Sequence, residues 1–311
     1  MNFNRIAISG HRGWASSAVV AALADSGAPV RVFHRPDSDV SALPDHVDKV
    51  GVDVNNQEEL VAALQEVDIL ISLVGHDGIE SQHELLRAIP HTSVRLFSPS
   101  DLAARYDEEG LSLPVNASKA RVEAAARDAG IPVTIVLPGN FAEFALATPA
   151  LGVNSRDNEI TFSGKSATEP LNICTRNYVA AAYVSIFAKT PLAELENRTI
   201  GLCELRPTGN DIASILARAH GSEPTVTTDS LAKVSAGVSR CIAEGSPFAL
   251  MWYCRKVWAT GQQSKMVGSD IWEVPGYTKA TLQTLLAEGK LEPYREMPPQ
   301  IIGAMIQELA R

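Results

Sequence analysis

Gly10, Gly13 and Ser16 are evenly spaced in the segment Gly10-His11-Arg12-Gly13-Trp14-Ala15-Ser16, directly after a short apolar run at 5–8. The pattern is G-x-x-G-x-x-S at a strand-to-helix turn. A first glycine permits the tight turn. A second lets a pyrophosphate approach the N–H groups at the helix start. The third position must be small for strand–helix packing, and Ser16 is small without being glycine. The chemistry implied is dinucleotide binding; the plain alternative is a tight turn with no ligand. An NAD-binding chain ordinarily ends its second strand on an acid that meets the ribose 2′-hydroxyl. Here the segment reads Val32-Phe33-His34-Arg35-Pro36, with an arginine and no acid. A guanidinium matches a 2′-phosphate in bidentate fashion, and Arg12 can reach the same group, so the pattern favours NADP(H) over NAD(H). The competing reading makes Arg35 a solvated arginine at a strand end.

These residues need elements to hold them. Through residue 140 the chain alternates short apolar runs (5–8, 29–33, 47–54, 68–74, 94–97, 133–137) with stretches of helical spacing (15–25, 57–66, 79–88, 117–128). Such alternation implies right-handed βαβ units. The fold class expected is α/β, a Rossmann-type doubly wound parallel sheet with a smaller α-rich C-terminal substrate lobe. The cofactor domain is expected over residues 1–155, with returning elements from about 170–220, and the mostly helical lobe over 156–311. Within that second part, 159–162 and 170–173 read as a hairpin around Gly164. Thr175 reads as a cap for a helix through 189, and 199–204 as a strand. Thr208 to Asp211 outlines a capping box for a helix ending at Gly221. Helices follow over 230–244 and 247–260, the second carrying Phe248, Met251, Trp252, Tyr253 and Trp258.

Composition sets outer limits. The chain has 311 residues, 45% hydrophobic and 20% charged, and a formal charge of −9, which is globular and opposed to non-specific nucleic-acid binding. Cys174, Cys203, Cys241 and Cys254 lie far apart with no metal spacing, so they read as reduced thiols and no metal site is expected. The start lacks signal-peptide features and no stretch is apolar enough to span a bilayer, so a cytoplasmic protein away from membranes is expected, with the sequons at Asn116 and Asn197 as chance matches. There is no G-x-S-x-G, H-E-x-x-H or phosphate loop ending in Gly-Lys-Ser/Thr.

Several segments in order resemble the NmrA-like and isoflavone-reductase-like proteins, an atypical branch of the short-chain dehydrogenase/reductase superfamily. Besides the glycine loop they are Val52-Asp53-Val54 with the stretch 58–68, and Ile71-Ser72-Leu73-Val74-Gly75. Further along come Arg95-Leu96-Phe97-Ser98-Pro99-Ser100-Asp101, then Lys119 followed by 129–134 and Pro138-Gly139-Asn140-Phe141. The last are Asn197-Arg198-Thr199-Ile200 and Asn210-Asp211-Ile212-Ala213. The resemblance covers most of residues 4–220 and implies an NADP(H)-binding Rossmann-type domain. Gly10, Arg12, Gly13 and Trp14 would surround the pyrophosphate, and Arg35 would hold the 2′-phosphate. Asp53 and Val54 would lie beside the adenine, with Val74 and Gly75 under the ribose. Lys119 would bond the nicotinamide ribose, and Gly139, Asn140 and Phe141 would line the nicotinamide.

Departures from the pattern bear on chemistry. The superfamily's Tyr-x-x-x-Lys has Val115 in place of the tyrosine, and a valine donates no proton. Ser16 stands for the third glycine, and Asn177 for a frequent Asp. The function expected is an NADPH-dependent reductase of a small, largely apolar or aromatic metabolite, acting on a conjugated C=C, imine or carbonyl without that tyrosine. Lys119 is the catalytic candidate; its bland reading is a surface lysine. Substrate contacts are expected at His76, Ser100, Phe141, Trp252 and Tyr253, with Tyr253 one of several proton sources. The aromatic stretch reads more readily as lobe core, and Asp101 and Arg105 as helix-start residues. The alternatives are an NADP(H)-binding redox sensor that reports to a protein partner, and a redox-neutral catalyst on the same fold.

Overall fold

A computed structural model of the chain describes residues 3–311. In chain order the first elements are β1 (Ile6–Ser9), α1 (Trp14–Asp25), β2 (Val30–His34), β3 (Asp48–Gly51), α2 (Gln57–Ala63), β4 (Ile69–Ser72), α3 (Gln82–Ala88), β5 (Leu96–Ser98), the short α4 (Glu108–Leu111), α5 (Pro114–Asp128) and β6 (Thr134–Leu137). Strands β3-β2-β1-β4-β5 form one parallel sheet in that order. A bridge from Phe97 to Val133 extends it to β6, which pairs in parallel with β11 (Arg198–Gly201). β1 and β4 are buried at every position, as strands covered on both faces must be. Alternate residues go to opposite cores. Ile6, Ile8, Ile69 and Ile71 face α1 and the later α7 (Arg176–Tyr183), whereas Ala7, Leu70 and Phe97 face α2, α3 and α5.

The strand order reverses between β1 and β4. In an open α/β sheet the crevice at such a point, beyond the C-terminal ends of the strands, is where ligands bind. The loops after these two strands therefore frame the site.

The second part runs β7 (Asn140–Phe141), α6 (Ala142–Ala147), β8 (Val153–Asn154), β9 (Glu159–Ser163), β10 (Ile173–Cys174), α7, β11, α8 (Gly209–His220), β12 (Thr225–Asp229), α9 (Leu231–Ala243), α10 (Ala249–Ala259) and α11 (Pro299–Leu309). The hairpin expected over 159–162 and 170–173 does not form. β9 pairs antiparallel with β8 and parallel with β12, while β10 pairs with β7. Fully buried Leu171 and Ile173 belong to the lobe core, and Asn172 between them ties to Pro138, Leu202 and Gln263. That anchoring draws the segment away from β9. α5 begins at Pro114 rather than 117, with proline in the first turn, where its missing N–H costs nothing. The Thr208–Asp211 capping box and the left-handed Gly221 cap bound α8.

A third core, the lobe, gathers α6, α8, α9 and α10 and also takes in Leu113 and residues 142–153 from the chain's first half. At its centre Arg255, 1% exposed, meets Asp229 at 2.9 Å and lies over the Trp252 ring. Glu308 on α11 accepts the Trp252 indole N–H at 2.9 Å. Among the described residues no helix is long and apolar enough to cross a membrane.

Candidate active site

The crevice at the switch point has a volume of about 390 Å³ and is lined by the β1 loop, the ends of β2 and β3, and the β4 loop. Gly10 is what brings the two loops together. Its φ is +93°, and a Cβ there would stand 2.7 Å from the backbone of Leu73 and Val74. Gly13 differs: its backbone is extended with φ −66°, so glycine supplies room rather than an unusual conformation. It is the N-cap of α1, with no side-chain capping bond and no acid in the first turn. A 12-residue helix thus points uncompensated N–H groups and its positive end at the crevice, a ready anion site. Exposed Arg12 and Arg35 line the same space with His34 and Ser38. These residues fit a phosphorylated dinucleotide: a positive helix end for a pyrophosphate and two free guanidinium groups beyond it.

The remaining residues sort by environment. Val54, Val74 and Gly75 line the crevice. Asp53 does not, because its carboxylate accepts from the backbone and side chain of Asn55 and closes the turn before α2. His11 lies within the glycine loop with a buried Nε2 that has no partner, and desolvation, reinforced by Arg12, holds its imidazole below the ordinary value. His76, at the rim after β4, is also held low, by desolvation and then by the charges of Lys119 and Arg295. Lys119 on α5 pairs with Asp101 at 3.5 Å, beside the end of β5. Val115, one turn earlier, packs on the sheet core, so the residue in the tyrosine's place is anchored and inert.

Four expected contacts have other work. Ser100 donates its hydroxyl to Val74 O at 2.7 Å and its N–H to Gln82 at 2.9 Å, so it ties the β4 and β5 loops together. Gly139, φ +73°, has buried Asn172 where its Cβ would be, so the glycine serves close packing. Trp252 and Tyr253 are each 1% exposed in the lobe core, and the Tyr253 hydroxyl is bound to Asp107 at 2.9 Å. They roof nothing, and Tyr253 is no proton source. Asn140 is half-buried with its amide nitrogen unpartnered. Phe141 stands edge-on to Trp14 with ring centres 5.2 Å apart.

The C-terminal segment 288–298, silent in the sequence, packs as a strap beside the start of α1. Tyr294 sits edge-on to Trp14 at 4.9 Å and near Phe144 at 5.4 Å. Glu292 accepts from Asn177 at 2.9 Å and lies 4.0 Å from Arg176, whose guanidinium covers the Trp14 ring at 5.2 Å. The strap thus meets the start of α1 through Tyr294, and the charge of Arg295 is felt at His76. Beneath it Glu143 is 1% exposed; one oxygen accepts Arg176 N–H at 2.9 Å and the other has no partner. Asp101 is not a helix-start residue, and neither is Arg105, which is paired with Glu123. An acid at the C-terminal end of a parallel strand was the clue to Asp101; nothing in the sequence marked Tyr294 or Arg295.

Comparison with known proteins agrees with this arrangement. A model of the NmrA-like family matches residues 3–234. A phenylcoumaran benzylic ether reductase of Pyrus communis is 30% identical over 158 residues, 47% of this chain and 51% of its own length. The isoflavone reductase homolog IRL of Zea mays is 31% identical over 156 residues, 46% of this chain and 50% of its own. The chain thus spans about half the length of the curated relatives it matches. Among solved structures, the leucoanthocyanidin reductase–NADPH complex from Vitis vinifera superposes with a TM-score of 0.76 at 18% identity, covering 93% of this chain and all of that one (100%). A crystal structure of isoflavone reductase gives 0.73 at 22% identity, covering 92% and 99%. Both structural likenesses are of fold.

Proposed function

The chain belongs to the NmrA-like family, and from that premise we propose that it is an NADPH-dependent reductase of a small, largely apolar or aromatic metabolite. The observation that carries the reading is the crevice between the β1 and β4 loops. It joins an uncapped helix N-terminus and two exposed arginines; Lys119, paired with Asp101 past the end of β5, lies outside its lining. The reductase names of the plant relatives support it, as does the NADPH held by a neighbour of the same fold.

In this reading the first turn of α1 and Gly13 take the pyrophosphate, Arg35 with Arg12 takes the 2′-phosphate, and Lys119 takes the nicotinamide ribose. NADPH, when bound, supplies the hydride, to a conjugated C=C, an imine or a carbonyl. Lys119 polarises the substrate atom on which negative charge builds, and the proton that completes the reduction comes from water, so the tyrosine that Val115 replaces is not required. Trp14, Phe141, Phe144 and Tyr294 offer apolar and aromatic surface beside the start of α1. Cofactor binding is assigned to the sheet domain and substrate selection to the lobe, whose core also takes in residues 142–153, Leu171, Ile173 and α8.

The test is NADPH consumption against a panel of enones, imines and quinones. Turnover with at least one of them is expected, and Lys119→Met should lower kcat by roughly 10²–10³ at saturating NADPH. One observation favours a second reading. Val115 is half-buried against the core and has no proton to give, which also suits a sensor that binds NADP(H) and passes its redox state to a partner protein. Tight binding of NADPH with no substrate in the panel consuming it would select that reading.

A further inference from the structure

We propose that Asp101 is the positioning residue of Lys119: from the end of β5 its carboxylate fixes the lysine ammonium toward the crevice. The inference rests on the reading above, in which Lys119 holds the nicotinamide ribose. Asp101 is itself held firmly. The preceding Ser100 is bonded on both sides, to Gln82 and to Val74, and Asp101 O accepts the N–H of Ala103. Lys119 projects from α5, whose Val122 and Ala126 are locked into the core at 0% exposure. The two side chains are 11% and 12% exposed and 3.5 Å apart.

The surrounding charges single out this pair. Arg105, the other cation near Asp101, is engaged by Glu123 and by Thr199 at 2.8 Å. Tyr106 and Tyr183 also stand near the Asp101 carboxylate, and His76 near Lys119. Burial pushes the Asp101 carboxyl above its ordinary range, and Lys119 is the foremost charge opposing that, ahead of Arg105. Lys119 Nζ stands 3.5 Å from Asp101 Oδ1, at the long edge of hydrogen-bonding distance, so the contact is mainly Coulombic and ties up at most one of the three N–H groups. The other donors stay open to hydroxyl groups in the crevice. A lysine stem has four rotatable carbons, and a fixed negative charge at one side selects the rotamer that reaches across.

The experiment is calorimetric titration of the whole protein with NADPH and with 2′,5′-ADP, which carries the adenosine half alone. Asp101→Asn should weaken NADPH about tenfold, the worth of one charged, positioned hydrogen bond, and leave 2′,5′-ADP within about twofold. Asp101→Glu, keeping the charge, should recover most of the loss. In a Lys119→Met background Asp101→Asn should cost less than about twofold more, because the residues act as a unit. Unchanged NADPH affinity in Asp101→Asn would overturn the proposal. Equal weakening of both ligands, or losses that multiply in the double variant, would do so as well. Asp101→Ser runs the same comparison should the Asn variant not fold. A wild type that binds neither ligand brings down the cofactor reading and this proposal together. One that binds both, with Asp101→Asn matching it, brings down the proposal alone.

Discussion

Replacing Glu143 with glutamine should reverse part of the protein's pH dependence of stability. The Glu143 carboxyl is 1% exposed beneath the strap, and its pKa is raised from 4.5 to about 7, first by desolvation, with Glu292 and Glu204 adding negative charge nearby. Folding therefore keeps a proton that the unfolded chain has already lost. The contribution is fully present below about pH 4.5 and is lost as the pH rises to about 7, above which it is constant. At about 1.4 kcal/mol per pH unit the loss is on the order of 3 kcal/mol. Glutamine still accepts the Arg176 N–H but cannot ionise, and it sets an amide group where Oε2 has no partner, at a cost of about 1 kcal/mol. Urea unfolding of both proteins at about pH 4 and about pH 8 measures this. The variant should be less stable by about 1 kcal/mol at the acid end and more stable by about 2 kcal/mol at the alkaline end. A difference between the two proteins that does not change with pH would refute the reasoning, since it would mean that Glu143 titrates alike folded and unfolded.

The two loop glycines should fail differently. Gly10→Ala forces a Cβ against Leu73 and Val74 at φ +93°, and should cost about 2–3 kcal/mol of stability by urea melts. Gly13→Val meets only Ser16 Oγ, at 2.9 Å, and should keep a native circular dichroism spectrum while losing both NADPH and 2′,5′-ADP; retained binding would make the loop purely structural. Tyr294→Ala removes two aromatic contacts worth about 0.5–1.5 kcal/mol each, and should speed proteolysis within residues 288–298 by loosening the strap. Cleavage at the wild-type rate would show that the strap is held by something else.

What the sequence made legible was set by local rules. The alternation of Ile6, Ala7 and Ile8, buried against two separate cores, identifies a central parallel strand from its own residues, and the glycine spacing locates the crevice. The Thr208–Asp211 box and Gly221 are likewise short-range signals that tertiary contacts leave in place. The lobe was harder because its pairings are long-range. β12 is exposed at four of five positions and so has no apolar rhythm, and β9 finds it 66 residues away. Ser100, Gly139 and Asp53 carry the residue types of a binding site, but each is committed to a neighbour that only the fold brings near. Asp101 reads from the sequence as a helix-start residue; its depth beside Lys119 depends on how α5 lies on the sheet.

The claim at the centre is that the crevice takes a 2′-phosphorylated dinucleotide through an exposed arginine at the end of β2. Calorimetric titration of the wild type with NADPH and with NADH tests it most directly, with Arg35→Asp as the control. NADPH should bind roughly ten- to a hundredfold tighter than NADH, the worth of a bidentate charged contact, and Arg35→Asp should erase or invert that ratio. Equal affinity of the wild type for the two cofactors, or binding of neither, would contradict the account.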